Sequence, residues 1–96
     1  MPQPLTETSF DVQIQTAFAS DNVPKIYANG FISARTNSDV FVVLQLNGQP
    51  ISVLNLSYSS AKTLAQDLQK AIQDLENEMG RQILTIHEIN EKTKLP

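Results

Sequence analysis

The sequence contains no cysteine and no tryptophan. Without cysteine there are no disulfides, thiolate metal sites or cysteine nucleophiles. Glycine is nearly as scarce, with three residues at positions 30, 48 and 80, none opening a helix. Phosphate-cradling loops of the Walker and dinucleotide kinds need glycines clustered at a helix start, so both are excluded. Basic residues are few and scattered, 7 against 10 acidic ones, for a net charge of −3. No basic stripe is available to neutralise phosphates, which argues against nucleic acid and acidic membranes as partners. No segment approaches the ~20 apolar residues of a membrane span. The leading Met-Pro-Gln-Pro-Leu-Thr-Glu-Thr has neither the basic nor the apolar region of a secretory signal, so a cytoplasmic location is expected.

What remains is a 96-residue chain, enough for one domain. Residues 1–8, with two prolines, read as a flexible tail, and residues 9–96 as a single α+β domain. Phe10, Val12, Ile14, Thr16 and Phe18 alternate with Ser9, Asp11, Gln13, Gln15 and Ala17, which predicts a first strand. Asp21-Asn22-Val23-Pro24 ends it. Ile26 to Arg35 reads as a second strand, with Gly30 marking a bulge or a close backbone approach. Val40 to Leu46 is the strongest strand, apolar on both faces, so cover on both is expected.

Asn47-Gly48 follows at once and suits a type I′ hairpin turn. Counted from that turn, Leu46 faces Gln49, Gln45 faces Pro50, Leu44 faces Ile51, Val42 faces Val53 and Phe41 faces Leu54. One sheet face would then carry Val40, Val42, Leu44, Ile51 and Val53, and the other Phe41, Val43, Leu54 and Leu56. Ser57 and Ser59 are N-cap candidates for a long helix ending near Met79, with Gly80 as its left-handed stop. Thr85-Ile86-His87-Glu88 fits a capping box opening a short helix toward Thr93. The expected fold is an α+β, antiparallel four-stranded meander in the order 1-2-3-4, with one long helix packed on one face and a short C-terminal helix.

No catalytic constellation emerges, so no enzyme, no metal and no cofactor is expected. His87 lacks a nucleophile or an orienting carboxylate and reads as a polar position in the capping-box helix. Asp67, Asp74 and Glu78, with Lys70 among them, read as a solvated helix face rather than a metal or acid–base pair. The serines at 57, 59 and 60 lack the Gly-x-Ser-x-Gly frame of a hydrolase nucleophile. Tyr27, Asn29 and Phe31 share a strand face and form a candidate ligand face, where aromatics stack a planar ligand or a nucleic-acid base. Ala61, Ala65, Leu68, Ile72, Leu75 and Met79 are spaced 4, 3, 4, 3, 4. That is heptad spacing over fewer than three heptads, and a helix lying across its own sheet needs a similar stripe.

Ile26-Tyr27-Ala28-Asn29-Gly30-Phe31, the strand around Asp39-Val40-Phe41-Val42, and Ser57-Tyr58-Ser59-Ser60-Ala61-Lys62-Thr63-Leu64 leading a helix to Gly80 are together similar to a small bacterial domain-of-unknown-function family. That family shows a Tyr-Ala/Ser-Asn strand start and a Ser-x-x-x-Ala-Lys-x-Leu helix opening. The resemblance spans about residues 26–80 and implies a bacterial, soluble, non-enzymatic module.

One helix covers one sheet face, which leaves Phe41, Val43, Leu54 and Leu56 as a candidate interface. Contiguous apolar patches beyond a few hundred Å² usually mark interaction sites. The expected function is therefore a self-associating, non-catalytic protein-interaction or assembly module, most simply a homodimer, with room for an unidentified protein partner. The alternative is small-ligand or single-stranded nucleic-acid binding through Tyr27, Asn29 and Phe31.

Overall fold

The computed structural model describes the backbone of residues 7–93 and the side chains of residues 9–92. The element order is α1 (Glu7–Ala19), β1 (Gly30–Arg35), β2 (Asp39–Leu46), β3 (Gln49–Ser57), α2 (Tyr58–Met79) and α3 (Ile86–Thr93). The protein is α+β, with a three-stranded antiparallel sheet in the order β1-β2-β3.

The first predicted strand is a helix. Its alternating apolar residues include Phe10, Ile14 and Phe18, which recur every fourth residue and so also line one side of a helix. Two periods fit one segment, and the availability of a partner decides between them. A strand needs a neighbouring edge for its N–H and C=O groups, whereas a helix satisfies them internally. Among the described residues α1 packs against no other element, and a segment standing alone is hydrogen-bonded only as a helix. The expected tail over residues 1–8 lies outside the described residues for positions 1–6, and Glu7 and Thr8 belong to the backbone of α1. Ser20 closes the last turn of α1 onto the Thr16 carbonyl at 3.0 Å, and the Lys25 ammonium donates to the Ser20 carbonyl.

Only the second half of the predicted Ile26–Arg35 strand pairs. Gly30 lies opposite Gln45, one residue before β2 ends, so Ile26–Ala28 overhang the sheet with no strand beside them. Gly30 is a close approach, as expected: a Cβ there would sit 3.0 Å from Gln45 Oε1. The Asn47-Gly48 turn has the two positive φ values that its sequence implies, 52° and 83°.

The hairpin register departs from a uniform count. Leu46 faces Gln49 and Gln45 faces Pro50, as expected, but Leu44 then faces Ser52 rather than Ile51. Ile51 is the extra residue of a β-bulge. Because side chains alternate with a period of two, one inserted residue moves everything beyond it to the opposite face. Val42 now faces Leu54, Val43 faces Val53, Phe41 faces Asn55 and Val40 faces Leu56.

The long helix has the termini its sequence encodes. Ser57 caps it by accepting from the Ser60 N–H at 3.1 Å, a contact worth about 1 kcal/mol. Gly80, at φ 69°, ends it, with its N–H on the Glu76 carbonyl at 2.9 Å. Its packing differs from expectation. α2 meets β2 and β3 only, and no residue of it is buried. Leu64, Leu68, Ile72, Leu75 and Met79 are 37–58% exposed, which a helix roofing its own sheet would prevent.

The consequence is that the described residues form no interior. None of the described side chains is buried; β2, between its two neighbours, is only half-buried from Val40 to Gln45. The radius of gyration is 17.0 Å and the extents are 64 × 38 × 30 Å, where a compact chain of this length has a radius of about 12–13 Å.

Candidate functional site

The three-stranded sheet sorts its side chains by register. One face carries Phe31, Ser33 and Arg35 from β1, Val40, Val42 and Leu44 from β2, and Ser52, Leu54 and Leu56 from β3. The other carries Ile32 and Ala34, then Phe41, Val43 and Gln45, then Val53 and Asn55. The four residues expected to form one interface patch are therefore divided. Phe41 and Val43 lie on one face, Leu54 and Leu56 on the other, separated by the bulge at Ile51. Each face is apolar at its centre, and no described element covers either one enough to bury a residue.

The candidate ligand face is also redistributed. Phe31 is in β1 opposite Leu44, while Tyr27 lies in the unpaired stretch before the strand and is 77% exposed. Asn29 is taken up locally. Its Nδ2 donates to Asn47 Oδ1 at 3.0 Å, its Oδ1 accepts from the Asn47 N–H at 2.9 Å, and its own N–H donates to the Gln45 carbonyl at 2.9 Å. These bonds tie the start of β1 to the β2–β3 turn. The side-chain amide that a planar ligand would use serves the fold instead.

Of the polar groups weighed as chemistry, Lys70, Asp74, Ser57 and Ser60 have structural partners. Lys70 pairs with Asp74 at 3.0 Å across one turn of the exposed face of α2, an ordinary surface pair worth a few tenths of a kcal/mol. His87 lies in the first turn of α3. The predicted capping box is formed in both directions: the Glu88 N–H donates to Thr85 Oγ1 at 3.1 Å and the Thr85 N–H to Glu88 Oε1 at 3.0 Å. The Thr85 backbone N–H, aided by its hydroxyl, holds the Glu88 carboxyl below the usual carboxylate range. No group of three or more metal-ligating side chains converges among the described residues. No helix among them is long and apolar enough to cross a membrane.

Two open hollows are mostly apolar. Ala17, Phe18, Val23, Pro24, Lys25 and Ile26 line one, and Met79, Arg81, Gln82, Ile83, Leu84 and Ile89 line the other. Neither gathers the convergent polar groups that orient a small molecule.

The extended feature is the inner side of α2. Its outer positions, Thr63, Gln66, Asp67, Lys70, Gln73, Asp74 and Asn77, are all polar. Its opposite side is the stripe from Ala61 to Met79, about 27 Å long, half-buried at Ala61 and exposed at Ala65, Leu68, Ile72, Leu75 and Met79. The heptad spacing of these residues is visible in the sequence; that most of them stand exposed is not. Compared with known proteins, the chain matches no family model, no curated protein and no solved structure.

Proposed function

We propose that this chain is a non-catalytic, self-associating assembly module, most simply a homodimer. The observation behind the proposal is the accessible surface of 8692 Å² on a 10.6 kDa chain. A compact monomer of that mass exposes about 5,500 Å². The nine residues outside the described range account for at most ~1,400 Å² of the difference, at the ~1.45 Å² per dalton of a fully extended chain. An excess on the order of 1,800 Å² per chain remains, and much of the exposed surface consists of large apolar side chains from every element. A standard protein–protein interface buries about 800 Å² per partner. The excess is therefore of the size that association removes. α1 supports the same reading. A helix of 13 residues that packs against no other described element is marginal in water, and docking against a partner stabilises it.

The alternative, a ligand-binding strand face, has less behind it. Asn29 is engaged with Asn47, and Tyr27 stands in the unpaired stretch while Phe31 is within the sheet. Light scattering after gel filtration, at tens of micromolar and on dilution, tests the proposal. The expected mass is at least twice 10.6 kDa, with helix and strand lost together as the assembly dissociates. A folded monomer across that range overturns it.

A further inference from the structure

We infer that two copies of this chain pair through α2, antiparallel, with the two-fold axis crossing the helix beside Lys70. The inference rests on the self-association proposed above and specifies its geometry. The stripe residues are Ala61, Ala65, Leu68, Ile72, Leu75 and Met79, and they are symmetric about position 70. Aligned antiparallel on that centre, Ala61 meets the partner's Met79, Ala65 meets the partner's Leu75, and Leu68 meets the partner's Ile72. Each small residue opposes a large one, and the central layers pair two branched residues of similar size. Interdigitation of large against small is how facing helices fill space at close approach. A parallel pairing stacks Ala61 on Ala61 and Ala65 on Ala65, leaving voids at one end.

Charge supports the same orientation. Beside the seam, the antiparallel alignment brings Lys62 of each chain to Glu76 of the other, twice by symmetry. Glu76 uses one carboxylate oxygen to accept the Ile83 N–H at 2.7 Å, and its second oxygen is the one that would accept Lys62. A parallel pairing sets Glu76 beside Ala71 and makes no such pair. The flanking positions on the axis are Gln69 against Gln69 and Ala71 against Ala71, a neutral amide pair and a contact with no steric bulk. Lys70 itself points outward and pairs with Asp74, so it brings no like charge to the centre. The seam lies on the side of α2 where Leu64, Leu68, Ile72, Leu75 and Met79 are 37–58% exposed, with Ala61 and Glu76 half-buried. It spans fewer than three heptads, so it works with the sheet faces, and the excess of about 1,800 Å² leaves area for both.

Because the chain has no cysteine, single cysteines report the geometry directly. Ala71→Cys, Ala61→Cys and Met79→Cys proteins are treated with a short bismaleimide after their fold and mass are checked by circular dichroism and light scattering. Ala71→Cys is expected to be captured as a covalent dimer. Ala61→Cys alone and Met79→Cys alone are not, because their symmetry mates lie about 27 Å apart, at the ends of an 18-residue span. Ala61→Cys refolded together with Met79→Cys is captured. Self-capture of Ala61→Cys as efficient as that of Ala71→Cys overturns the antiparallel seam in favour of a parallel one. A dimer by light scattering in which no α2 cysteine is captured places the interface elsewhere and overturns this inference alone. A monomeric wild-type protein overturns both this inference and the proposed function.

Discussion

Asn29 and Asn47 hold each other through two hydrogen bonds, side chain to side chain at 3.0 Å and backbone N–H to side chain at 2.9 Å. The pair closes the open end of the sheet, because Asn47 is the left-handed first residue of the β2–β3 turn and Asn29 immediately precedes β1. Asn29→Ala removes both bonds and is expected to cost about 1–2 kcal/mol at fixed protein concentration. Asn47→Gly keeps the positive φ and the N–H donor and removes only the Asn47 Oδ1 bond. Its cost is expected to be smaller, and the double variant less destabilised than the sum of the two. Chemical denaturation of the four proteins measures the coupling, and strict additivity would show that the two side chains act independently.

The bulge at Ile51 sets which β3 side chains share a face with β2. Deleting Ile51 removes the extra residue and leaves Val42 against Leu54 and Val40 against Leu56, so the protein is expected to keep its folded circular dichroism spectrum. Inserting an alanine between Val53 and Leu54 instead sets Leu54 against Phe41 and Leu56 against Asp39, and so turns both leucines to the opposite face of the sheet. That variant is expected to lose cooperative thermal unfolding. If the two variants behave alike, the register set by the bulge does not determine the faces.

The capping box of α3 predicts a pH dependence. Glu88 is held below its ordinary carboxylate range first by the Thr85 backbone N–H and then by the Thr85 side chain. A folded-state value below the unfolded one means that this contribution is present above the unfolded value, near 4.3, and is lost as pH falls through the folded value. Protection of the first-turn amides of α3 at Ile86–Ile89, measured relative to the intrinsic exchange rate at each pH, is therefore expected to fall as pH drops below the ordinary carboxylate range. Glu88→Gln keeps an acceptor for the Thr85 N–H and should flatten that pH response. A Glu88 side-chain titration by NMR at the ordinary carboxylate value would refute the depressed value.

Several features of this protein were determined by the sequence itself, and all are local. The limits of α2 follow from Ser57 and Gly80, the β2–β3 turn from Asn47-Gly48, and the start of α3 from Thr85 and Glu88. Each rests on a backbone group satisfied within a few residues, or on a φ value that few residue types adopt. The tertiary structure decided the rest. Phe10–Phe18 carries a period that suits either a strand or a helix, and the absence of an adjacent strand makes it a helix. Ile26–Ala28 are strand-like in composition and unpaired because β2 ends at Leu46. Phe41 and Val43 part from Leu54 and Leu56 because one bulged residue inverts the alternation, and nothing in Pro50-Ile51-Ser52 marks which residue is the extra one. The stripe on α2 is equally compatible with an intramolecular sheet and with a second helix. Hydrophobic spacing states only that a face must be covered, and the positions of the other elements determine whether its own chain can do so.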